Sequence, residues 1–280
     1  MSVETIEELG PSDLGTLDFW EKVYTEELDN FKNHGDVGEI WFGNRASLSI
    51  VKWISTKLNL DMENDRIIDI GCGNGMMLVE LAKKGFKLLT GIDYSQKAID
   101  LANEVLKENN VTCSNLQVCD ILNTDNHGLL TNYFKVAHDK GTYDAISLHP
   151  DQPADKRGKY IDNVYNILQS NGYLILTSCN WTKDELLVHF KNKYDFIHEL
   201  PVESFQFGGK RGNNITQLCN IFGTLRHHWH MQTPRLLLIV SKEQDRKYTL
   251  YYYSVCTPEI KISTTENNFS TNSIKEFETY

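Results

Sequence analysis

The chain has 280 residues, of which 40% are hydrophobic and 24% are charged, a composition that excludes a wholly disordered protein. Its formal net charge of −10 argues against binding nucleic acid through phosphate contacts and favours encounter with a basic partner. The N-terminus lacks the basic and apolar segments of a secretory signal, and apolar runs such as 236–240 are too short to span a bilayer. We therefore expect a cytoplasmic, partly nuclear protein with reduced cysteines, no direct nucleic-acid binding and no membrane association.

In chain order, hydrophobic periodicity first predicts two helices, at 16–32 with Thr16 as N-cap and at 44–58. From residue 66 strands and helices alternate. The predicted elements are strand 66–70, helix 75–84, strand 87–92, helix 95–108 and strand 115–119. The fourth strand is ambiguous, because the apolar runs 134–138 and 143–148 both suit it.

The second half of the chain continues the alternation. A helix at 157–169 is predicted to end at Asn171-Gly172, before a strand at 173–177. A further helix at 182–192 begins after Thr182, with Glu185 in capping-box spacing. The runs 194–200 and 215–222 predict an antiparallel pair joined by the glycine-rich loop 207–212. This order predicts a Rossmann-like α/β fold, with seven strands in a mostly parallel sheet.

A glycine-rich turn follows the first strand of the alternating region, within residues 67–75. Glycines there let the backbone approach a ligand and leave the N-terminal amides of the next helix free to donate hydrogen bonds. A dinucleotide site would have glycine where Met76 stands, whereas Gly71, Gly73 and Gly75 fit the G-x-G-x-G spacing of methyltransferases. The spacing therefore predicts S-adenosylmethionine as the cofactor.

Acidic residues end the first three strands of this region. Asp69 is placed either to stabilise the turn or to reach the methionine ammonium of the cofactor through water. Asp93 is placed to accept both ribose hydroxyls, and Tyr94 to pack beside the adenosine. Asp120 is placed to accept from the adenine amino group, and Ile121 to pack on the ring. Taken singly, Asp93 is better interpreted as a helix N-cap and Asp120 as a turn residue, but their joint occurrence after successive strands favours the cofactor site.

Several motifs are more specific than the glycine turn. They are Leu14-Gly15-Thr16, Phe19-Trp20-Glu21-Lys22-Val23-Tyr24, Gly38-Glu39-Ile40-Trp41-Phe42-Gly43, Gly91-Ile92-Asp93-Tyr94-Ser95, the run 139–148, Thr177-Ser178-Cys179-Asn180-Trp181-Thr182 and Phe205-Gln206-Phe207-Gly208-Gly209. With them, residues 14–216 resemble the protein-lysine methyltransferases that modify translation elongation factor 1-alpha. The resemblance implies that the fourth strand is 134–138, ending at Asp139, and that a helix begins at Thr142.

The resemblance also implies site residues. Asp139 and Lys140 would lie at the mouth shared by cofactor and substrate, in catalytic or substrate-orienting roles, and Trp41-Phe42 would fold over the cofactor as a lid. Asn180 follows the fifth strand, where ligand-facing loops occur in open α/β sheets. Each has a structural alternative: packing for Trp41 and Phe42, a turn for Asp139 and Lys140, and a cap for Asn180.

The predicted domains are an N-terminal extension with lid helices at 1–60, a class I methyltransferase domain at 61–222 and a poorly ordered tail at 223–280. The resemblance fades after Ile221-Phe222, and we expect about the last fifteen residues to be disordered. The tail histidines His227, His228 and His230 lack a nearby carboxylate or thiol, so we expect surface histidines and no metal site.

The expected function is methylation of a lysine of elongation factor 1-alpha by a monomeric enzyme that uses S-adenosylmethionine. Two alternatives remain at this point. The first is a class I methyltransferase acting on another protein or a small molecule, because acceptor pockets are set by loops. The second is a non-catalytic cofactor-binding protein that recruits a partner through its tail.

Overall fold

The structure is a computed structural model, and it describes residues 7–126, 128–129, 131–200, 206–207, 210–211, 218–224, 237–243, 247–253 and 260–262. It divides into two compact units, 1–226 and 227–280. The predicted boundary at residue 222 stays a prediction. The tail histidines and the last eighteen residues, 263–280, lie outside the described residues.

The first unit contains seven α-helices among its described residues. They are α1 (Leu17–His34), α2 (Gly43–Lys57), α3 (Met76–Lys83), α4 (Gln96–Glu108), α5 (Thr142–Ser147), α6 (Pro153–Ile167) and α7 (Lys183–Phe190). Two 3-10 helices lie at Asp13–Gly15 and Ile121–Asn126. The Thr16 side chain caps α1 by accepting from the Phe19 N–H, and Thr182 with Glu185 forms the predicted capping box of α7. No helix among these residues is both long enough and apolar enough to cross a membrane.

Seven strands of this unit form one sheet. They are β1 (Arg66–Ile70), β2 (Leu88–Asp93), β3 (Asn115–Val118), β4 (Phe134–Lys140), β5 (Leu168–Ser178), β6 (Tyr194–Leu200) and β9 (Leu218–Thr224). Their order is β3-β2-β1-β4-β5-β9-β6, parallel except that β9 pairs antiparallel with both β5 and β6. A separate hairpin pairs β7 (Gln206–Phe207) with β8 (Lys210–Arg211). The predicted seven-stranded, mostly parallel sheet is confirmed.

The second unit contains a three-stranded antiparallel sheet in the order β10-β11-β12. Its strands are β10 (Leu237–Glu243), β11 (Lys247–Tyr253) and β12 (Ile260–Ile262). This sheet lies within residues 223–280, the segment predicted to be a poorly ordered tail.

The sheet of the first unit is covered on both faces, and side-chain alternation decides which residue faces which layer. Ile67 and Val136 belong to one buried cluster, with residues of α2, α3 and α4. Ile68 and Ala137, the next residues along the same strands, belong to a second cluster with residues of α6 and α7. Two-sided burial explains why these strands are apolar throughout instead of alternating in polarity.

Two predicted boundaries need correction. The helix α6 begins at Pro153, four residues before the predicted start at 157, because a proline in the first helical turn needs no backbone donor. It ends at Ile167, not at Asn171-Gly172, because β5 begins at once with Leu168 paired to Phe134 of β4. The ambiguity of the fourth strand is resolved in favour of 134–140, while 142–147 is helical.

Candidate active site

A cavity of about 500 Å³ lies at the carboxyl ends of strands β1 to β5. This edge includes the point between β1 and β4 where the strand order reverses, which is where open α/β sheets bind ligands. Residues from the N-terminal 3-10 helix and α1 complete the wall. Of the twelve predicted site residues, eight line this cavity: Trp41, Gly71, Asp93, Tyr94, Asp120, Ile121, Lys140 and Asn180.

The glycine turn after β1 is left-handed at all three predicted glycines, but only Gly71 lines the large cavity. At Gly73 (φ 52°), an added Cβ would lie 2.7 Å from the Tyr24 hydroxyl oxygen. At Gly75 (φ 74°), it would lie 3.0 Å from the Ala102 Cβ of α4. The three glycines therefore do different things: Gly71 faces the cavity, Gly73 admits Tyr24, and Gly75 lets α3 pack closely on α4.

Asp93 ends β2 with its carboxylate buried at the cavity wall. Its Oδ2 accepts from the Gly73 N–H at 3.0 Å and its Oδ1 from the Ser95 N–H at 2.9 Å. Burial raises the pKa of Asp93 to about 6, and these two backbone donors offset only part of the effect. Asp93 is not the N-cap of α4, because Ser95 holds that position and accepts from the Ala98 N–H.

Tyr94 connects the cavity to the N-terminal segment. Its hydroxyl donates to the Thr16 carbonyl at 3.1 Å, directly before α1. On the neighbouring strand end, Asp120 accepts from the Leu122 N–H at 2.8 Å and from the Asn123 side-chain amide at 2.6 Å. Asp120 therefore stabilises a turn and also lines the cavity beside Ile121.

Asp69 lies outside the lining of the large cavity. Its Oδ1 is 2.7 Å from Nδ1 of His138, a fully buried residue on the neighbouring strand β4. Asp69 instead borders a second cavity of about 20 Å³, together with Gly71 and Lys140. This contact joins Asp69 to the neighbouring strand, and both roles considered for Asp69 stay predictions.

Asp139, which the resemblance places in a catalytic or substrate-orienting role, is fully buried and lines neither cavity. Its carboxylate accepts from the backbone N–H of Thr142 at 2.9 Å and of Tyr143 at 3.1 Å, and from the Tyr160 hydroxyl. Burial raises its pKa to about 7. Asp139 holds the start of α5 in place through these hydrogen bonds, and its catalytic or substrate-orienting role stays a prediction.

Lys140, the next residue, does reach the cavity. Its Nζ donates to the Trp41 carbonyl oxygen at 3.2 Å, and burial lowers its pKa. Asn74 holds the same segment from the other side, because its amide donates to the carbonyl oxygens of Val37 at 3.0 Å and Glu39 at 3.4 Å. The segment before α2 is thus tied to both the glycine turn and the end of β4.

An aromatic cluster over the cavity was missed by sequence reasoning. The ring of Trp20 contacts Trp41 at 5.3 Å between centroids and stacks on Tyr24 at 5.8 Å, and all three residues line the cavity. Trp20 and Tyr24 are four residues apart on α1, a spacing that places both on one helix face. The sequence signal that could have indicated this cluster was the four-residue spacing of Trp20 and Tyr24. The lid role of Trp41-Phe42 stays a prediction.

The wall at the ends of β4 and β5 holds further unpredicted residues. Asp144 of α5 lines the cavity with Cys179 and His149, beside the predicted Asn180. Asp144 accepts from the Ser178 hydroxyl at 2.6 Å and from the Cys179 N–H at 2.8 Å. Residue 144 belongs to the run 143–148, whose pattern predicts a strand or a helix. Nothing in the local sequence indicates that its carboxylate faces a cavity.

Comparison with known proteins agrees with this geometry. A family model described as a methyltransferase domain matches residues 61–246. EEF1A lysine methyltransferase 2 of Danio rerio is 45% identical over 212 residues, covering 76% of this chain and 89% of the relative. The chain belongs to this methyltransferase family. Protein-lysine N-methyltransferase efm4 of Schizosaccharomyces pombe is a more distant member, 33% identical over 227 residues, covering 75% of this chain and 94% of its own.

Solved structures support the fold of this methyltransferase. The N-methyltransferase NodS from Bradyrhizobium japonicum, in complex with S-adenosyl-L-homocysteine, superposes with a TM-score of 0.54 at 17% identity. The superposition covers 74% of this chain and 99% of that one. Family membership confirms the predicted enzyme class and S-adenosylmethionine as its cofactor. The individual site residues stay predictions.

Proposed function

We propose that this chain transfers a methyl group from S-adenosylmethionine to the ε-amine of a lysine of translation elongation factor 1-alpha. The observation that carries the proposal is the cavity at the ends of β1 to β5, where Gly71, Asp93 and Asp120 face one space. The acceptor is supported by relatives that are named EEF1A lysine methyltransferase 2. The alignments with this chain cover 89% and 86% of the length of two of them.

The cavity and its lining residues fit the cofactor. The cavity volume, about 500 Å³, is within the usual range of small-molecule sites. The Gly71 turn allows close backbone approach, Asp93 offers acceptor oxygens suited to ribose hydroxyls, and Ile92 with Ile121 offers apolar surface suited to adenine. The bound cofactor supplies an activated methyl group on a sulfonium, so the protein mainly has to position the acceptor.

The acceptor lysine must lose a proton before its nitrogen has a lone pair. Its free pKa is about 10.4, so only about one molecule in a thousand is neutral near pH 7. Trp20, Tyr24 and Trp41 form an aromatic part of the cavity wall, and partial burial there beside the cationic sulfonium disfavours the charged amine. The proton then leaves to solvent at the mouth, and the neutral amine stays within the aromatic and apolar wall.

The test is transfer of labelled methyl from S-adenosylmethionine to purified elongation factor 1-alpha, with the product lysine mapped by mass spectrometry. We expect label on a defined lysine, and strong loss of labelling in Asp93→Ala because that variant loses the proposed ribose acceptor. No label on the factor, in a preparation that binds the cofactor by calorimetry, would reject the acceptor and leave the cofactor site standing.

We also propose that the enzyme is a monomer in the cytoplasm, with a share in the nucleus. Analytical ultracentrifugation tests the monomeric state, and imaging of the tagged protein in cells tests the location.

A further inference from the structure

Asp144 is a buried carboxylate that the fold turns towards the cavity. It lies in the first turn of α5, its side chain is 5% exposed, and it is one of three carboxylates that line the cavity among the described residues. The other two, Asp93 and Asp120, stand at the ends of β2 and β3, where we place the ribose and adenine. Asp144 stands apart from them, beside the ends of β4 and β5.

The hydrogen-bond partners of Asp144 are neutral. The Ser178 hydroxyl donates to Oδ1 at 2.6 Å, and the Cys179 N–H donates to Oδ2 at 2.8 Å, with the Cys179 thiol at 3.4 Å. The ion pairs found among the described residues do not include Asp144. Burial raises the pKa of Asp144, because these neutral donors offset only part of the cost of burying its charge. A cation beside the carboxylate would therefore stabilise its ionised form.

The surroundings indicate which cation fits. Ala145 of α5 and Leu148, the residue after this helix ends, supply apolar wall, and Asn180 lines the same cavity. Such a site suits a primary ammonium on a long aliphatic stem, because the stem packs on apolar surface while the charged end meets the carboxylate. A hydrated metal ion would instead need several oxygen ligands, and no metal-binding group of three acidic, histidine or cysteine side chains occurs among the described residues.

We propose that Asp144 binds the ε-ammonium of the acceptor lysine and orients its nitrogen towards the transferable methyl group. This inference rests on the proposed lysine acceptor. After the ammonium releases one proton to solvent, the neutral amine still donates an N–H to the Asp144 carboxylate, and its lone pair points away from that bond. The Ser178 hydroxyl and the Cys179 N–H hold the carboxylate in place.

The decisive variant is Asp144→Asn, which keeps the shape and removes the charge. The asparagine oxygen can accept from the Cys179 N–H, and the Ser178 hydroxyl can rotate to accept from the new amide, so we expect the fold to persist. The matched control is Ser178→Ala, which removes one donor to Asp144 and leaves the negative charge. Melting temperature and calorimetric affinity for S-adenosylhomocysteine are measured for both variants.

With labelled methyl transfer to elongation factor 1-alpha, we expect kcat/KM to fall at least about tenfold in Asp144→Asn, the effect of about 1.4 kcal/mol in transition-state binding. Cofactor affinity and melting temperature stay close to wild type, and Ser178→Ala loses much less activity. Unchanged kcat/KM in Asp144→Asn overturns the proposal. Equal losses in both variants, together with lower melting temperatures, also overturn it, because Asp144 would then only brace the β5–α7 loop.

A second measurement separates this proposal from the identity of the acceptor. NMR titration of the protein saturated with S-adenosylhomocysteine uses n-butylammonium as a lysine side-chain probe and butan-1-ol as the uncharged control. We expect saturable n-butylammonium binding that weakens at least about tenfold in Asp144→Asn, and no such difference for the alcohol. Equal ammonium binding by wild type and Asp144→Asn refutes the role of Asp144, whichever protein the enzyme methylates.

Discussion

At the residue scale, the protonation of the Asp93 carboxylate changes with pH close to neutrality. Burial raises its pKa to about 6, although the Gly73 and Ser95 N–H groups favour the ionised form. A cationic cofactor with ribose hydroxyls favours the ionised carboxylate further, so binding must displace a proton at low pH. We expect cofactor affinity to rise as pH increases from about 5 to about 7, and to level off above that range. Isothermal titration calorimetry measures it.

The control for this pH effect is Asp93→Asn. The amide keeps one acceptor oxygen but cannot ionise, so the variant should lose most of the rise in affinity between these pH values. At neutral pH we expect weaker binding by roughly 1.5 to 3 kcal/mol, the range for a hydrogen bond to a charged group. A wild-type affinity that stays constant with pH, or a variant that keeps the same rise, contradicts a titrating role for Asp93.

Residues differ in how far their positions could be predicted from sequence. Asp93 and Gly71 belong to a local strand–turn–helix pattern, so their place at one edge of the sheet follows from chain order alone. Asp139 and Asp144 are five residues apart in one run, yet the first is sealed under α5 and the second lines the cavity. That difference depends on Tyr160 and Ser178, which approach from distant parts of the chain. Such long-range packing cannot be predicted from the local sequence around Asp139 and Asp144.

At the element scale, Asn74 joins the segment 37–39 to the glycine turn. Its amide donates to the Val37 and Glu39 carbonyl oxygens, while its Oδ1 accepts from the Met76 N–H at 3.2 Å. Asn74→Asp keeps the acceptor and removes both donors. We expect local opening to become easier by about 1 to 2 kcal/mol, which speeds amide exchange in residues 36–42 by about 5- to 30-fold. Hydrogen–deuterium exchange measures it, and we expect cofactor affinity to fall.

Asn103→Asp is the matched control for this variant. Asn103 donates a side-chain amide to the Ile99 carbonyl at 2.9 Å within α4, so the substitution removes a donor of the same kind far along the chain. Exchange in 36–42 should stay at the wild-type rate. Equal acceleration in both variants would attribute the effect to general destabilisation, and no acceleration in Asn74→Asp would show that the segment is held by other contacts.

The elements also show where sequence patterns are ambiguous. The run 143–148 has strand-like apolar character, but its residues up to Ser147 belong to α5, because the Asp139 carboxylate accepts from the first amides of the helix. Asn171-Gly172 looks like a helix end, yet it lies inside β5. The Thr224 hydroxyl donates to the carbonyls of Gln169 and Ser170 beside it, a contact from a strand more than fifty residues away. Both outcomes depend on long-range partners, which periodicity cannot reveal.

At the scale of the whole molecule, the described residues of the sheet, its buried clusters and the cavity lie within the first compact unit. The seven-stranded sheet ends with β9 at Thr224, and both buried clusters consist of residues up to Phe222. The cavity is lined by residues between Leu14 and Asn180. The methyltransferase family model nevertheless matches as far as residue 246, past the end of this unit at Arg226. The two boundaries make different predictions about a shortened chain.

A chain ending after Arg226 distinguishes them. Because the described residues of the seven-stranded sheet, of its two apolar clusters and of the cavity lining all precede residue 227, we expect this shorter chain to unfold cooperatively and to bind S-adenosylhomocysteine with unchanged affinity. Circular dichroism melting and calorimetry compare it with the full chain. An insoluble product, or one that melts at a much lower temperature, would mean that the segment containing β10 to β12 is needed for the first unit to fold. Normal cofactor binding with lost methylation of elongation factor 1-alpha would instead assign that segment to substrate recognition.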